Sequence, residues 1–299
     1  MEKDPRRNRY IKADAGNRRP ESASSDVSAL RASPDPNRAQ VSEPRGAFDP
    51  ADRIEGRNPV LEALRAGRTI NKIWLARPEN GRLDPTAQRI LALARESNVP
   101  VMEVPRVTLD QMSVTHAHQG VIAQAASHDY AELDEVLADA AERGEAPFLV
   151  ILDELKDAYN LGSVLRISDA AGVHAVIIPR HRSIGLDAVV AKASAGAVEY
   201  VPVCRVTNLS QTIADLKKNG FWIAGTDAEG TMTYDKAPLT GALAVVIGSE
   251  GEGMSRLVRE SCDFLISIPM KGHVNSLNAA VAAGIVVFEA AKQRRNGKE

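Results

Sequence analysis

Phe148-Leu149-Val150-Ile151-Leu152 runs into Asp153-Glu154-Leu155-Lys156-Asp157-Ala158-Tyr159-Asn160 and then Leu161-Gly162-Ser163-Val164-Leu165-Arg166. The first five residues are all apolar, the composition of a strand buried on both faces. The next eight are mostly polar and read as a loop. From 161 to 171 the apolar residues take helical spacing. Strand, loop and helix in this order make half of a βαβ unit. The alternation continues with strand 175–178, helix 187–194, strand 200–203 and helix 209–219. Strands 222–225 and 242–247, helix 256–260, strand 264–268 and a helix over 276–294 complete it. Apolar strands separated by helices imply a parallel sheet covered on both faces, so 147–295 is an α/β domain.

Upstream, residues 51–126 carry a second, smaller α/β pattern. Asn58 reads as a helix cap with Pro59 in the first turn. A strand at 72–76, a helix at 85–96, a strand at 99–104, a short helix at 109–113 and a strand at 120–125 follow. Residues 127–146, with a helical stretch at 133–143, read as a linker. Residues 1–50 are rich in Arg, Asp, Ser and Pro and nearly free of aromatics. Such a segment buries too little apolar surface to offset its chain entropy and is expected to be disordered. Arg6, Arg7, Arg9, Arg18 and Arg19 make it either a basic arm or, with its acids nearly balancing them, a solvated tail.

Composition narrows the function classes. The chain has 299 residues, 44% hydrophobic and 25% charged, with a net charge of −2. Cys204 and Cys262, the two cysteines, have no metal-ligand spacing and no disulfide framework, which points to a reducing cytoplasm. No run of about 18 apolar residues suggests a membrane span, and no apolar stretch near Met1 suggests a secretion signal. No metal-ligand cluster stands out; His116 and His118 are a pair without partners. A near-neutral charge is unusual for an RNA-binding protein, unless basic residues gather on one face.

Ligands of such sheets sit beyond the carboxyl ends of the strands. Three strand ends lead into unusual loops. In the first, Asn160 either caps the helix, leaving Arg166 solvated, or reaches a loop region together with Arg166. The second is Ile247-Gly248-Ser249-Glu250-Gly251-Glu252-Gly253-Met254, where three glycines in six residues imply positive φ or close contact with a ligand. It is neither a G-x-G-x-x-G fingerprint nor a Walker A loop. The third is Ile268-Pro269-Met270-Lys271-Gly272-His273-Val274-Asn275-Ser276-Leu277-Asn278. Ser276 suits a cap there, which leaves a polar Asn278 inside an apolar run unexplained.

Together these three segments resemble the motifs of SpoU-type (TrmH-like) RNA 2′-O-ribose methyltransferases, in the SPOUT superfamily. Order and separation both fit, over about Arg53 to Arg294. The segments around Gly56-Arg57-Asn58-Pro59 and His118-Gln119-Gly120 are similar to those of the enzymes that methylate a guanosine in 23S rRNA. The resemblance implies a trefoil-knotted methyltransferase domain preceded by a small ribosomal-protein-like RNA-binding domain. It implies S-adenosylmethionine as cofactor, structured RNA as partner, and a homodimer that completes the site across two subunits. The family's catalytic positions fall on Asn160, Arg166, Glu250, Ser276 and Asn278. Its cofactor positions fall near Thr226, Gly248, Glu250, Ile268 and Leu277. Arg57, Arg65, Arg68 and Lys72 are the small domain's basic candidates for RNA contact, each read against the alternative of a solvated surface residue. Two departures occur: Ala158 replaces a frequent proline, and Asn278-Ala279-Ala280 replaces Asn-Val-Ser. Arginine is protonated at all accessible pH, so Arg166 is expected to hold phosphate and stabilise an oxyanion, with Asn160 holding Arg166 or the ribose and Glu250 orienting Arg166. A tRNA ribose methyltransferase and a non-catalytic RNA-binding member of the fold are the alternatives.

Overall fold

A computed structural model describes residues 52–77, 82–126, 128–273 and 276–296. The tail expected at 1–50 lies outside them. The first module contains β1 (Arg53–Glu55), α1 (Arg57–Arg65), β2 (Ile70–Ala76), α2 (Pro85–Glu96), β3 (Val101–Val104), α3 (Arg106–Met112) and β4 (Val121–Ala125). Its strands form one sheet in the order β1-β4-β2-β3, antiparallel except for the β2–β3 pair. Ile54, Val60, Leu61, Leu64, Ile73 and Ile90 are buried under α1 and α2. Trp74, Leu109 and Ile122 are buried on the other face, beneath α3. Asp84 starts α2 by accepting from the backbone N–H of Thr86 and Ala87, with Pro85 at the first position.

Asn58 does not cap α1. The cap position is Gly56, at φ 103°, and the Gln119 side-chain oxygen accepts from the Arg57 N–H at 3.1 Å. A glycine is suited to that backbone angle, and a residue distant in sequence supplies the acceptor.

Next comes α4 (Leu133–Glu142), inside the expected linker. The Ala131 N–H donates to the Val203 carbonyl at 2.9 Å, and Val136 packs with Leu149, Ile151 and Ile213. This stretch is therefore packed against the larger sheet.

The second module contains β5 (Phe148–Leu152), α5 (Ala158–Ala171), β6 (Ala175–Pro179), α6 (Ala188–Ala193), β7 (Val203–Val206) and α7 (Leu209–Lys218). It continues with β8 (Trp222–Thr226), β9 (Met232–Thr233), β10 (Leu243–Ile247), α8 (Arg256–Ser261), β11 (Phe264–Ser267) and α9 (Ala279–Asn296). The strand order is β7-β6-β5-β10-β8-β11-β9, and every pairing is parallel. β5 and β10 pair centrally and are buried along their whole length, with apolar clusters on both faces. The chain builds outward from β5 through β6 and β7, then crosses to β8 and returns to insert β10 between β5 and β8. The carboxyl ends of β5, β10 and β8 therefore flank a point where the direction of winding reverses, the place where such sheets bind ligands.

Two element expectations are corrected. The strand expected at 200–203 lies at Val203–Val206, because Ala197–Glu199 forms a 3-10 turn after Gly196 (φ 97°) and delays it. The last helix starts at Ala279, because Asn278 and not Ser276 caps it.

Candidate active site

Asp157 caps α5, accepting from the Asn160 backbone N–H at 2.8 Å. Asn160, expected as a possible cap, is thereby free to use its side chain elsewhere. Its Nδ2 donates to Glu250 Oε1 at 3.0 Å, and its Oδ1 accepts from Asn278 Nδ2 at 2.9 Å. Asn278 Nδ2 also donates to Glu250 Oε1, and the Ala279 N–H donates there at 3.3 Å. Asn278 Oδ1 accepts from the N–H groups of Ala280 and Val281 at 3.0 and 3.1 Å, which caps α9. A carboxylate only accepts, so it dictates which end of each amide faces it. The three loops singled out in the sequence thus meet in one network, with Asn160 buried and Glu250 and Asn278 at the surface.

The glycine-rich loop is shaped by close backbone approach. The Ser249 and Gly253 backbones exchange hydrogen bonds at 2.9 and 3.0 Å, with Gly251 and Gly253 at φ 88° and 71°. A Cβ on Gly248 would lie 2.2 Å from the Gly253 carbonyl carbon. This fold-back is what presents Glu250 to Asn160. Asp153, buried at the end of β5, anchors the loop's far side by accepting from the Ser255 N–H at 2.7 Å.

The expected cofactor positions gather at the same edge. Thr226 ends β8, Gly248 follows β10 and Ile268 follows β11, and these three strands are neighbours in the order β10-β8-β11. Thr226 Oγ1 donates to the Val246 carbonyl at 3.0 Å, locking β8 to β10 there. Ile268 and Leu277 are half-buried and give apolar walls beside main-chain groups. Apolar walls with backbone partners at parallel strand ends suit an adenosine-containing ligand.

Arg166 lies two turns into α5, is exposed, and makes no hydrogen bond or ion pair among the described residues. Glu250 is engaged by the two asparagines, so the expectation that Glu250 orients Arg166 is corrected within one chain. Ser276 is exposed just ahead of α9.

The expected RNA contacts separate. Arg57 is partly exposed, with Nε on the Gln119 carbonyl at 3.0 Å and an ion pair to Asp84 at 3.3 Å. Arg65 pairs with Glu62 at 2.7 Å on the surface. Arg68 is half-buried and pairs with Glu199 of the second module at 3.0 Å, and it also donates to the Ala126 carbonyl. The structure gives Arg68 a role in joining the modules, correcting its expected place on an open RNA face. His118 is buried, accepting from the Gly120 N–H through Nδ1 and facing Asp110 through Nε2, a structural arrangement.

Burial pushes the Cys204 thiol up to about 11 and the Cys262 thiol up to about 12, so neither offers a thiolate near neutral pH. Among the described residues no group of three or more His, Cys, Asp or Glu is placed to hold a metal ion. Among them, too, no helix is long and apolar enough to cross a membrane. One residue that shapes the site was given no role in the sequence reading: Asp157, which carried the ordinary signal of an acidic N-cap.

Residues 147–288 match the model of the SpoU rRNA Methylase family, and residues 53–131 match that of RNA 2′-O ribose methyltransferase substrate binding. YacO of Bacillus subtilis (strain 168), named as a TrmH family tRNA/rRNA methyltransferase, is 49% identical over 243 residues, covering 81% of this chain and 96% of YacO. A relative of the same family name from Staphylococcus aureus (strain MSSA476) is 48% identical over 243 residues, covering 81% of this chain and 96% of its own. Among solved structures, the SpoU methyltransferase AviRb from Streptomyces viridochromogenes, in complex with AdoMet, matches with a TM-score of 0.68. The two are 25% identical, over 82% of this chain and 91% of AviRb.

Proposed function

The chain belongs to the SpoU (TrmH) family of RNA methyltransferases, and on that footing we propose that its substrate is the ribose 2′-hydroxyl of a guanosine in 23S rRNA. At the coarser level it is an S-adenosylmethionine-dependent RNA 2′-O-ribose methyltransferase acting on tRNA or rRNA. The observation that carries the chemistry is the Asn160–Glu250–Asn278 network, which joins all three motifs at the start of α5, the helix that also bears Arg166, exposed and without a hydrogen bond or ion pair among the described residues. The choice of guanosine in 23S rRNA is supported by the small domain's segments at Gly56–Pro59 and His118–Gly120, where Gln119 supports the start of α1.

The cofactor supplies an electrophilic methyl group on a sulfonium. Thr226, Gly248, Ile268 and Leu277 are the residues that would hold it. Arg166 binds a phosphate of the RNA and stabilises the developing 2′-oxyanion. The proton passes to a phosphate oxygen, since a guanidinium does not accept it. Asn160 and Asn278 hold Glu250, and the network fixes the floor against which the ribose is oriented. Ser276, at the exposed entry to α9, contributes a hydroxyl to the same rim.

The domains are a tail at 1–50, a substrate-binding domain at 51–126, a connecting segment at 127–146 and a methyltransferase domain at 147–295, the last with a trefoil knot. The protein works in the cytoplasm as a homodimer. Support for a dimer comes from α9, where Val281 and Phe288 stand exposed seven residues apart on one helix face. Arg57 and Arg65 are the small domain's candidate RNA contacts.

The test is methyl transfer from labelled S-adenosylmethionine to unmodified 23S rRNA and, separately, to unmodified tRNA, with nuclease mapping of the product. A 2′-O-methylated guanosine in 23S rRNA is the expected result. Transfer to tRNA alone would retain the chemistry and discard this substrate.

A further inference from the structure

Helix α5 buries Leu161, Val164, Leu165 and Ser168 against the sheet. Its opposite face presents Tyr159 and Arg166, seven residues apart, with the half-buried Ser163 between them. At 3.6 residues per turn, this spacing puts the two side chains on one stripe about 10 Å apart along the axis. Neither makes a hydrogen bond or ion pair among the described residues. Tyr159 is 64% exposed, in a chain with only 4% aromatic residues. Other exposed aromatics have different settings: Tyr200 donates to Glu62, Trp222 lies tilted on Phe264, and Phe288 is on the apolar face of α9. Tyr159 directly precedes Asn160, in the same first turn of α5 that carries the polar network.

We propose that Tyr159 is the platform on which the base of the target nucleotide stacks, while Arg166 holds a phosphate of the same strand. A ribose hydroxyl becomes reachable when its nucleotide is splayed from a helix, and unpaired bases are held by aromatic faces. A nucleotide spanning the two side chains carries its ribose between them, beside Asn160 and Glu250. Stacking accepts any base, so Tyr159 positions the nucleotide and does not select guanine. This rests on the phosphate-binding reading of Arg166 given above. It makes Tyr159 a binding residue whose loss weakens RNA capture.

The test compares Tyr159→Ala, Tyr159→Leu and Tyr159→Phe in the full-length protein. The readouts are steady-state methylation of a 23S rRNA transcript and of bulk unmodified tRNA, S-adenosylmethionine affinity by calorimetry, and mass by light scattering. On whichever RNA is methylated, Y159A and Y159L are expected to raise the RNA KM about tenfold, and Y159F to recover it. Cofactor affinity and oligomeric mass are expected to stay at the wild-type value in all three. A Y159A enzyme with unchanged RNA KM overturns the proposal. So does a Y159L enzyme as good as Y159F, which would mean simple apolar contact, or a Y159A enzyme with altered mass, which would place Tyr159 in a subunit interface. Failure of the Arg166 reading is seen separately, as Arg166→Ala retaining wild-type transfer.

Discussion

Asn278 donates to Asn160 and Glu250 and caps α9 with its other end. This double use accounts for a polar residue inside an apolar run, the feature the sequence reading left open. Glu250→Ala removes the acceptor shared by both asparagines, leaving the buried Asn160 amide without it. Methyl transfer is expected to fall at least tenfold, with about 1–3 kcal/mol of stability lost, as read by initial rates and urea denaturation. Ala158 occupies the first helical position, and the residue before it, Asp157, is already extended (φ −95°, ψ 125°), as a residue preceding proline must be. Ala158→Pro is therefore expected to keep activity and to gain about 0.4–1 kcal/mol by restricting the unfolded chain. A lowered melting temperature would show that the loop cannot take the ring. The residues of the network were legible as motif positions, but their roles were not. An asparagine before a helix reads equally well as a cap, and only the backbone shows that Asp157 takes that place.

Helix α5 is fixed by a close crossing with α6. A Cβ on Gly162 would lie 2.4 Å from Ala193 Cβ and 2.8 Å from the Ser194 backbone nitrogen. Gly162→Ala should force α5 outward, costing about 1–3 kcal/mol and displacing Asn160 and Arg166 together. Denaturation curves and methylation rates should fall in parallel; a stable, fully active G162A would mean the crossing relaxes freely. Buried elements such as β5 and β10 were readable, since all-apolar runs have few other uses in a globular domain. β1 and β9 were not, being three and two residues long and defined by their pairing partners. β7 was misplaced because Val201 and Val203 are apolar on both sides of Pro202, and the 3-10 turn that sets its start depends on Gly196 packing against Glu62.

The two modules are joined by charged and polar groups that no local pattern announces. Arg68 pairs with Glu199, Tyr200 donates to Glu62 at 2.7 Å, and Lys192 reaches Thr115 Oγ1 at 3.2 Å. The partners are 77 to 138 residues apart in sequence, which is why Arg68 read as a candidate RNA contact. Arg68→Ala leaves the Glu199 side chain, 5% exposed, facing His128 without its arginine, and about 3 kcal/mol of stability should be lost. Burial alone would raise the Glu199 carboxyl, but His128 and Arg68 together hold it below the ordinary glutamate range. Burial likewise opposes ionisation of Glu55, and hydrogen bonds from Ser113, Thr115 and Val114 bring it below that range. Both carboxyls are thus lower in the folded state than in the unfolded one. The stability they contribute is present above the unfolded value and lost as pH falls through the folded one. Melting temperature should drop steeply below about pH 4.5, and less steeply in Glu199→Gln; identical profiles would remove Glu199 from the account. On this reading the three motif loops assemble a ribose methyltransferase site in which Arg166 acts on the RNA. Its most direct test is single-turnover methyl transfer to 23S rRNA by wild-type and Arg166→Ala protein, with cofactor affinity measured alongside. A rate lowered by about 10²–10³-fold at unchanged cofactor affinity is the predicted result; near-normal transfer by the variant would contradict it.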